Sequence, residues 1–224
     1  MVKEIEALGQ KAIYIKVDIA DEKAVHAVVA QTVDTFGRLD ILVCCAGILG
    51  KEKPFLEQTA AEFQRVLQIN VVGVYYSHQA AIPHMLERGE GHVINMASVA
   101  GLIAAPTITS YAAGKYGVRA FTDSLRREVS HLGIKVSGIY PGPAVTEFGE
   151  KLERTKSRET IKRIKYPHMS SEYVAQRVVA VAKRPRRTLV IPWWFRIITT
   201  FDTLFPVAVD WITYIFSKKN HNLD

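Results

Sequence analysis

Short apolar runs alternate with longer stretches of mixed polarity along this 224-residue chain. The short runs predict buried strands at residues 12–18, 39–46, 92–98, 135–140 and 188–192. The longer stretches predict helices at residues 21–36 and 59–86, and a third helix that carries Tyr111 and ends near residue 131. Alternating strands and helices are typical of a parallel sheet covered on both faces, so we expect an α/β fold.

Local sequence signals mark some of the helix ends. Asp21 is a typical N-cap for the helix over residues 21–36, and Gly37 stands where glycine is favoured after a last helical turn. Residues 1–9 resemble the end of a helix that Gly9 closes. We therefore expect the sequence to open inside the alternating pattern rather than on a strand.

Length and composition indicate a single domain over residues 1–224. The chain is long enough for one sizeable core, and its 48% hydrophobic fraction is ordinary for a globular protein. Two cysteines give no disulfide framework, which agrees with a reducing compartment such as the cytoplasm. Residues 1–17 contain no continuous apolar core and do not resemble a signal peptide.

Positive charge is concentrated in one segment. Residues 151–187 hold 12 Lys or Arg and 3 Asp or Glu, whereas the whole chain has a net charge of +7. Three interpretations stay open: a loop that favours an anionic substrate such as an acyl thioester, a contact with anionic lipid, or a solvated face. Nucleic acid is not an expected partner, because no recognition motif accompanies the charge.

The C-terminal segment, residues 193–218, is rich in aromatic and aliphatic side chains. Three charged residues and a proline interrupt it: Arg196, Asp202, Pro206 and Asp210. Each charge at a helix centre costs roughly 2.5 to 3.5 kcal/mol on membrane insertion, so a spanning helix is not expected. Residues 193–219 could instead lie in a membrane interface as a peripheral contact, or pack on the substrate cleft or a second subunit, which we favour.

Two residues on one predicted helix suggest acid–base chemistry. Tyr111 and Lys115 are four residues apart, so they share a helical face. A tyrosine ordinarily titrates at about 10, and a cation within about 4 to 6 Å would bring its pKa closer to neutrality. Ser98 ends the predicted strand at residues 92–98 and could hold a substrate oxygen nearby. Taken alone, the pair also fits an ordinary solvated helix face.

Several further residues complete a recognisable set. They are Asn70 within an apolar helical stretch, Pro141 and Gly142 after a predicted strand, Thr146 beyond them, and the run Leu-Val-Cys-Cys-Ala-Gly from Leu42 to Gly47. Together with Ser98, Tyr111 and Lys115, in this order and spacing, they resemble the classical short-chain dehydrogenase/reductase family. The resemblance extends from residue 1 to about residue 190, and it implies a Rossmann-like, doubly wound parallel sheet.

The resemblance implies a catalytic tetrad of Asn70, Ser98, Tyr111 and Lys115. Tyr111 would act as the general acid or base, and Ser98 would orient the carbonyl or alcohol. Lys115 would serve both Tyr111 and the nicotinamide ribose, and Asn70 would hold a water molecule that resupplies the proton. A buried asparagine whose hydrogen bonds are satisfied within the core is the alternative interpretation of Asn70.

The resemblance also implies an NAD or NADP cofactor. The residues expected to contact it are Asp18, Ile19, Cys45, Ala46, Gly47, Tyr111, Lys115, Pro141, Gly142 and Thr146. Asp18 would touch the adenine, although an N-terminal helix cap is its alternative role, and Thr146 would meet the carboxamide unless it is an ordinary loop residue. Cys44 and Cys45 replace the family's usual asparagines, and they lack the further ligands of a metal site.

The family's first strand, glycine-rich turn, helix and second strand are missing from this sequence. That turn and the helix N-terminus hold the pyrophosphate, and the end of the second strand chooses between a ribose hydroxyl and a 2′-phosphate. The choice between NAD and NADP is therefore not readable here. We expect an N-terminally truncated, incomplete domain of the family's fold.

The combined expectation is an NAD(P)-dependent oxidoreductase that interconverts a carbonyl and a secondary alcohol. The apolar C-terminal segment favours a fairly hydrophobic substrate, such as a lipid-like ketone, a steroid-like compound or a 3-oxoacyl compound. The alternative is a catalytically silent fragment that acts as a binding module through an exposed sheet edge. By resemblance to the family, a homo-oligomer built through the long helices is expected.

Overall fold

A four-stranded parallel sheet lies at the centre of the protein. The structure is a computed structural model and describes residues 1–145 and 169–220. Its strands are β1 (Ile41–Cys44), β2 (Gly91–Met96), β3 (Ile134–Pro141), β4 (Ala144–Val145), β5 (Met169–Ser170) and β6 (Thr188–Ile191). The central sheet has the order β1-β2-β3-β6, and β4 pairs with β5 separately. The expected parallel α/β architecture is confirmed.

Helices cover both faces of this sheet. They are α1 (Val2–Ala7), α2 (Glu22–Phe36), α3 (Ala60–Leu67), α4 (Gly73–Arg88), α5 (Thr109–Val129), α6 (Ser171–Lys183), α7 (Phe195–Leu204) and α8 (Pro206–Asn220). The side chains of β2 alternate, so that Val93 packs with α4 and α5 while Ile94 packs with α6. α2 packs beside α4 through Val25 and Val29.

The predicted helix signals agree with the structure, but the predicted strand at residues 12–18 is wrong. Asp21 caps α2 by accepting a hydrogen bond from the Ala24 N–H, and Gly37 ends it with a φ of 77°. Residues 12–18 form no strand. A strand requires a hydrogen-bonded neighbour, and none pairs with these residues in the described part of the chain.

The long helix predicted at residues 59–86 contains an irregular turn. Thr59 begins α3 with a capping box to Glu62, and the helix passes at Gln68–Val72 into a π-helical turn before α4 starts. Turns of this kind are rare inside helices and are frequent at functional sites. Asn70 lies in this turn.

A buried polar network joins α4, β2 and α5. The Asn95 amide donates to the Thr122 hydroxyl over 2.9 Å, and Asn95 Oδ1 lies 2.8 Å from His78 Nε2. Because the Asn95 oxygen accepts, His78 Nε2 must carry the proton. Burial lowers the pKa of His78 to about 4, so the imidazole is neutral at pH 7.

Beyond β6 the chain forms two consecutive helices, α7 and α8. The start of this helix pair packs on the core through Trp194 and Phe195, whereas Trp193 and Trp211 are 70% and 65% exposed. Within the ranges that the structure describes, no helix is both long and apolar enough to span a membrane. This α7–α8 helix pair therefore combines a start that packs on the core with exposed apolar side chains.

We predict that His78 makes stability fall in mild acid. Its pKa is about 4 when folded and 6.5 by its ordinary value, so the unfolded chain takes up the proton first as the pH falls. One such group changes the free energy of unfolding by at most about 1.4 kcal/mol per pH unit. In urea titrations, His78→Phe should be less stable than the wild type at pH 7, and the difference should shrink between pH 6.5 and 4.

The control is His84→Phe, because His84 lies on the same helix and takes no part in this network. It should keep the wild-type pH dependence. Parallel stability curves for the wild type and His78→Phe across pH 4 to 6.5 would contradict the assignment of a neutral, buried His78.

Candidate active site

The carboxyl end of β2 and the first turns of α5 bring three predicted residues together. After β2 the chain stays extended to Ser98, makes a short helical turn at Val99–Gly101, and then enters α5 just before Tyr111. A Cβ atom on Gly101 would lie 2.5 Å from the carbonyl oxygen of Lys115. The absence of a side chain at Gly101 therefore lets the turn that follows Ser98 lie directly against α5.

Lys115 is held under the site by a backbone carbonyl. Its ammonium group donates to the Met96 carbonyl oxygen over 2.9 Å and lies 5.6 Å from the centre of the Tyr111 ring. The side chain is almost wholly buried, and this burial lowers the pKa of Lys115 to about 8.

Burial also decides the protonation of Tyr111. Loss of solvent raises the pKa of Tyr111, and a hydrogen bond with Ser98 opposes this rise. The sequence predicts that Lys115 lowers this pKa, but burial dominates and the pKa of Tyr111 is raised, with the ammonium group 5.6 Å from the ring centre. The phenol is thus protonated at neutral pH.

Ser98 is fixed by backbone groups on both sides. Its hydroxyl oxygen accepts from the Ala100 N–H over 3.1 Å, and the hydroxyl lies 3.5 Å from the Pro141 carbonyl oxygen as a long donor. These contacts orient Ser98 toward Tyr111 and join the end of β2 to the end of β3.

Asn70 joins the π-helical turn to the loop after β1. Its amide donates to the Ile48 carbonyl oxygen and its Oδ1 accepts from the Ile48 N–H, both over 2.8 Å. A Cβ atom on Gly47 would lie 3.2 Å from Asn70 Oδ1, and one on Gly114 would lie 3.3 Å from Asn70 Cβ. Since the side-chain amide bonds to both backbone groups of Ile48, Asn70 positions the loop after β1. The role of Asn70 in holding a water molecule stays a prediction.

The two cysteines after β1 differ in their surroundings. Cys44 is buried, which raises the pKa of its thiol to about 12, whereas Cys45 is exposed. Cys45, Ala46 and Gly47 lead from β1 toward Lys115, whose Nζ would lie 3.6 Å from a Cβ atom on Gly47. No group of metal-ligating side chains lies together among the residues that the structure describes.

Pro141 and Gly142 lie at the neighbouring end of β3. The Gly142 N–H donates to the Ile191 carbonyl oxygen over 2.7 Å, and Phe195 packs against Gly142. Sequence reasoning missed Phe195, because one aromatic residue in an apolar C-terminal segment carries no local signal. The predicted contact Thr146 lies outside the described residues.

Asp18 and Ile19 lie beside α3 and α4. Asp18 Oδ1 accepts from the Ala20 N–H over 2.9 Å, and Oδ2 lies 3.7 Å from the Arg65 guanidinium. The helix-cap alternative for Asp18 is wrong, because Asp21 caps α2. Ile19 packs against Gly73. The carboxylate still faces solvent, 58% exposed.

An apolar groove separates Ile19 from the end of β1. One wall is Val17 and Ile19, the other is residues 42–46, and α2 and α4 form its floor. Its cavity volume is about 170 Å³. Ile41 and Val43 on the edge strand β1 are 42% and 41% exposed. Ile19 therefore lines the same groove as Cys45 and Ala46, beside the exposed edge strand β1.

A model of the family described as short chain dehydrogenase matches residues 1–157. The chain belongs to the short-chain dehydrogenase family. Tyr111, Lys115 and Ser98 all fall within the matched residues.

Known members of this family resemble the chain in sequence and in structure. The 2-dehydro-3-deoxy-L-rhamnonate dehydrogenase (NAD(+)) of Sphingomonas sp. (strain SKA58) is 39% identical over 142 residues, which are 63% of this chain and 57% of that protein. The chain thus spans less than two thirds of that relative. Levodione reductase matches with a TM-score of 0.76 and 30% identity, over 84% of this chain and 78% of its own. ElxO with NADP bound matches with a TM-score of 0.74 and 26% identity, over 82% and 77%.

The described residues of this short-chain dehydrogenase fit the nicotinamide half of such a cofactor. Lys115 donates one ammonium proton to the Met96 carbonyl oxygen, and the ammonium group has three protons in all. A ribose hydroxyl could accept one of the remaining protons. The site also lies outside the carboxyl ends of parallel strands, where open α/β sheets bind ligands.

We predict that removing the Lys115 charge changes how stability depends on pH. The folded pKa is about 8 against an ordinary 10.5, so the wild type gains stability as the pH rises through this interval. The cost of the buried charge at pH 7 is on the order of 3 kcal/mol. In urea titrations, the stability of Lys115→Met relative to the wild type should fall steadily between pH 8 and 10.5.

The pH trend is the decisive quantity, because the variant also leaves the Met96 carbonyl oxygen without its donor. Lys135→Met is the control, since Lys135 is exposed on β3 and its replacement should leave the wild-type slope unchanged. A constant difference between Lys115→Met and the wild type over this range would show that the ammonium group is not buried in its charged form.

Proposed function

We propose that this chain carries the catalytic half of an NAD(P)-dependent oxidoreductase that interconverts a carbonyl and a secondary alcohol. The observation that carries the proposal is the hydrogen-bonded pair of Tyr111 and Ser98 above the buried Lys115. Relatives with the same family assignment include a dehydrogenase named for NAD and a structure with NADP bound, and both cofactors are therefore candidates.

The proposed chemistry divides between the cofactor and the protein. When bound, the nicotinamide supplies or accepts the hydride. In the reducing direction, Tyr111 donates its proton to the substrate oxygen and Ser98 hydrogen-bonds the same oxygen. Burial raises the pKa of Tyr111, so the phenol carries the proton that this step donates. Asn70 and Lys115 hold the loop and the helix on which these groups stand.

The proposed substrate is a fairly hydrophobic carbonyl compound of lipid-like, steroid-like or 3-oxoacyl type. Two observations support an apolar substrate. Phe195 at the start of α7 packs against Gly142 at the end of β3, and α7 exposes large apolar side chains, among them Ile197 and Leu204. Burial of such a substrate would contribute about 25 cal/mol per Å² of apolar surface.

Replacement of Tyr111 by phenylalanine should abolish most turnover while cofactor binding persists. The variant lacks only the phenolic oxygen, and general acid catalysis is worth roughly 10² to 10⁴ in rate. Turnover is measured with NADPH or NADH and decan-2-one as a hydrophobic probe ketone. Tyr116→Phe is the matched control, because Tyr116 lies on the same helix and is partly exposed. A Tyr111→Phe enzyme that keeps wild-type turnover would refute the assigned role.

The second candidate function is that of a binding module without catalysis. It is favoured by one observation, the open apolar groove beside the edge strand β1. An unpaired strand edge can accept an extended segment of another polypeptide through backbone hydrogen bonds.

A fluorescent eight-residue peptide of alternating valine and threonine is the probe for this second candidate. Saturable binding that Val43→Lys abolishes, in a chain without turnover, would support it, since a lysine on an edge strand discourages pairing. The control Leu132→Lys alters an exposed apolar residue far along the sequence from β1. Lack of peptide binding by the folded chain would exclude this candidate.

A further inference from the structure

The ring of Phe195 occupies the space that a side chain at residue 142 would need. An added Cβ atom on Gly142 would clash with Phe195 Cε2 and would lie 3.0 Å from Cδ2 and 3.2 Å from Cζ. Distances near 3 Å are shorter than carbon atoms tolerate, because their optimal separation is about 3.5 to 4.0 Å. The glycine and the aromatic ring are therefore complementary in shape.

The surroundings of Phe195 keep its ring in this place. The side chain is 9% exposed and belongs to the core cluster that contains Tyr140 and Val190. It stacks on Trp194 with ring centres 4.1 Å apart and an angle of 23° between the planes. Its N–H donates to the Pro192 carbonyl oxygen over 3.2 Å, which fixes the start of α7. Interiors packed in this way transmit displacement instead of absorbing it.

The backbone beside the ring is connected to Ser98. The Gly142 N–H donates a hydrogen bond to the Ile191 carbonyl oxygen, and the carbonyl oxygen of the preceding Pro141 lies 3.5 Å from the Ser98 hydroxyl. The Ser98 oxygen in turn accepts from the Ala100 N–H. If the Phe195 ring were removed, the Gly142 backbone could shift into the space it leaves. That shift would move the Pro141 carbonyl oxygen, which is the acceptor for the Ser98 hydroxyl.

We infer that Phe195 is a positioning residue, which sets the backbone at Pro141 and Gly142 and, through it, the Ser98 hydroxyl. The start of α7 is then part of the active-site architecture, because its first helical residue holds the end of β3. The catalytic consequence rests on the proposed function, whereas the packing and its effect on Ser98 do not.

The first test measures whether the Phe195 ring and a Cβ atom at residue 142 compete for the same space. Thermal unfolding of the ligand-free chain is followed for Phe195→Ala, Gly142→Ala and the double variant. Each single variant should unfold at a lower temperature than the wild type. The double variant should be more stable than the sum of the two losses, because the new methyl group enters the space that the ring leaves. Additive losses would overturn the inference.

The second test follows Ser98 without requiring turnover. In the ¹⁵N-labelled chain, Phe195→Leu, which keeps an apolar side chain and should remain folded, is expected to shift the amide resonances of Gly142 and Ala100. The control Phe201→Leu alters an exposed aromatic residue on the same helix and should leave the Ala100 resonance in place. An unchanged Ala100 resonance in Phe195→Leu would overturn the link to Ser98.

Kinetics with NADPH and decan-2-one add the catalytic consequence. Phe195→Leu should lower kcat about tenfold, since small misplacements near reacting groups cost up to roughly 10²-fold in rate. In a Ser98→Ala background the same change should have little further effect, because Phe195 acts through Ser98. Equal effects in both backgrounds would overturn the positioning role. If the wild type shows no turnover, the proposed function fails, and the unfolding and resonance results still decide the structural inference.

Discussion

The buried ammonium group of Lys115 is the constraint on which the candidate active site depends. A charge in the protein interior is tolerated only when hydrogen bonds replace its lost hydration, and the Met96 carbonyl oxygen provides one over 2.9 Å. This bond ties α5 to the end of β2 and brings Tyr111 beside Ser98. The close approach at Gly101 reinforces the same contact.

That constraint also explains the acid–base character of the site. The interior that lowers the pKa of Lys115 raises the pKa of Tyr111, so burial acts on both groups in the direction of their neutral forms. The neutral phenol is a proton donor.

Sequence reasoning predicted the repeated elements well, because periodicity and caps are local signals. The strands at β2 and β3, the cap at Asp21 and the grouping of Ser98 with Tyr111 all agree with the structure. It failed where a long-range partner decides the outcome. Residues 12–18 have the pattern of a strand, but no strand pairs with them in the part of the chain that the structure describes. The dominance of burial over Lys115 at Tyr111 depends on packing in three dimensions. The positioning role inferred for Phe195 likewise depends on a long-range contact, the packing of its ring against Gly142.

The central claim is that this chain holds the nicotinamide half of a cofactor at Tyr111 and Lys115. The most direct measurement is a titration of NADPH and NADH into the purified 224-residue chain, followed by nicotinamide fluorescence and thermal stabilisation. The account predicts saturable binding of at least one of the two cofactors, with a clear loss of affinity in Lys115→Met. A soluble, folded chain that binds neither cofactor would contradict it.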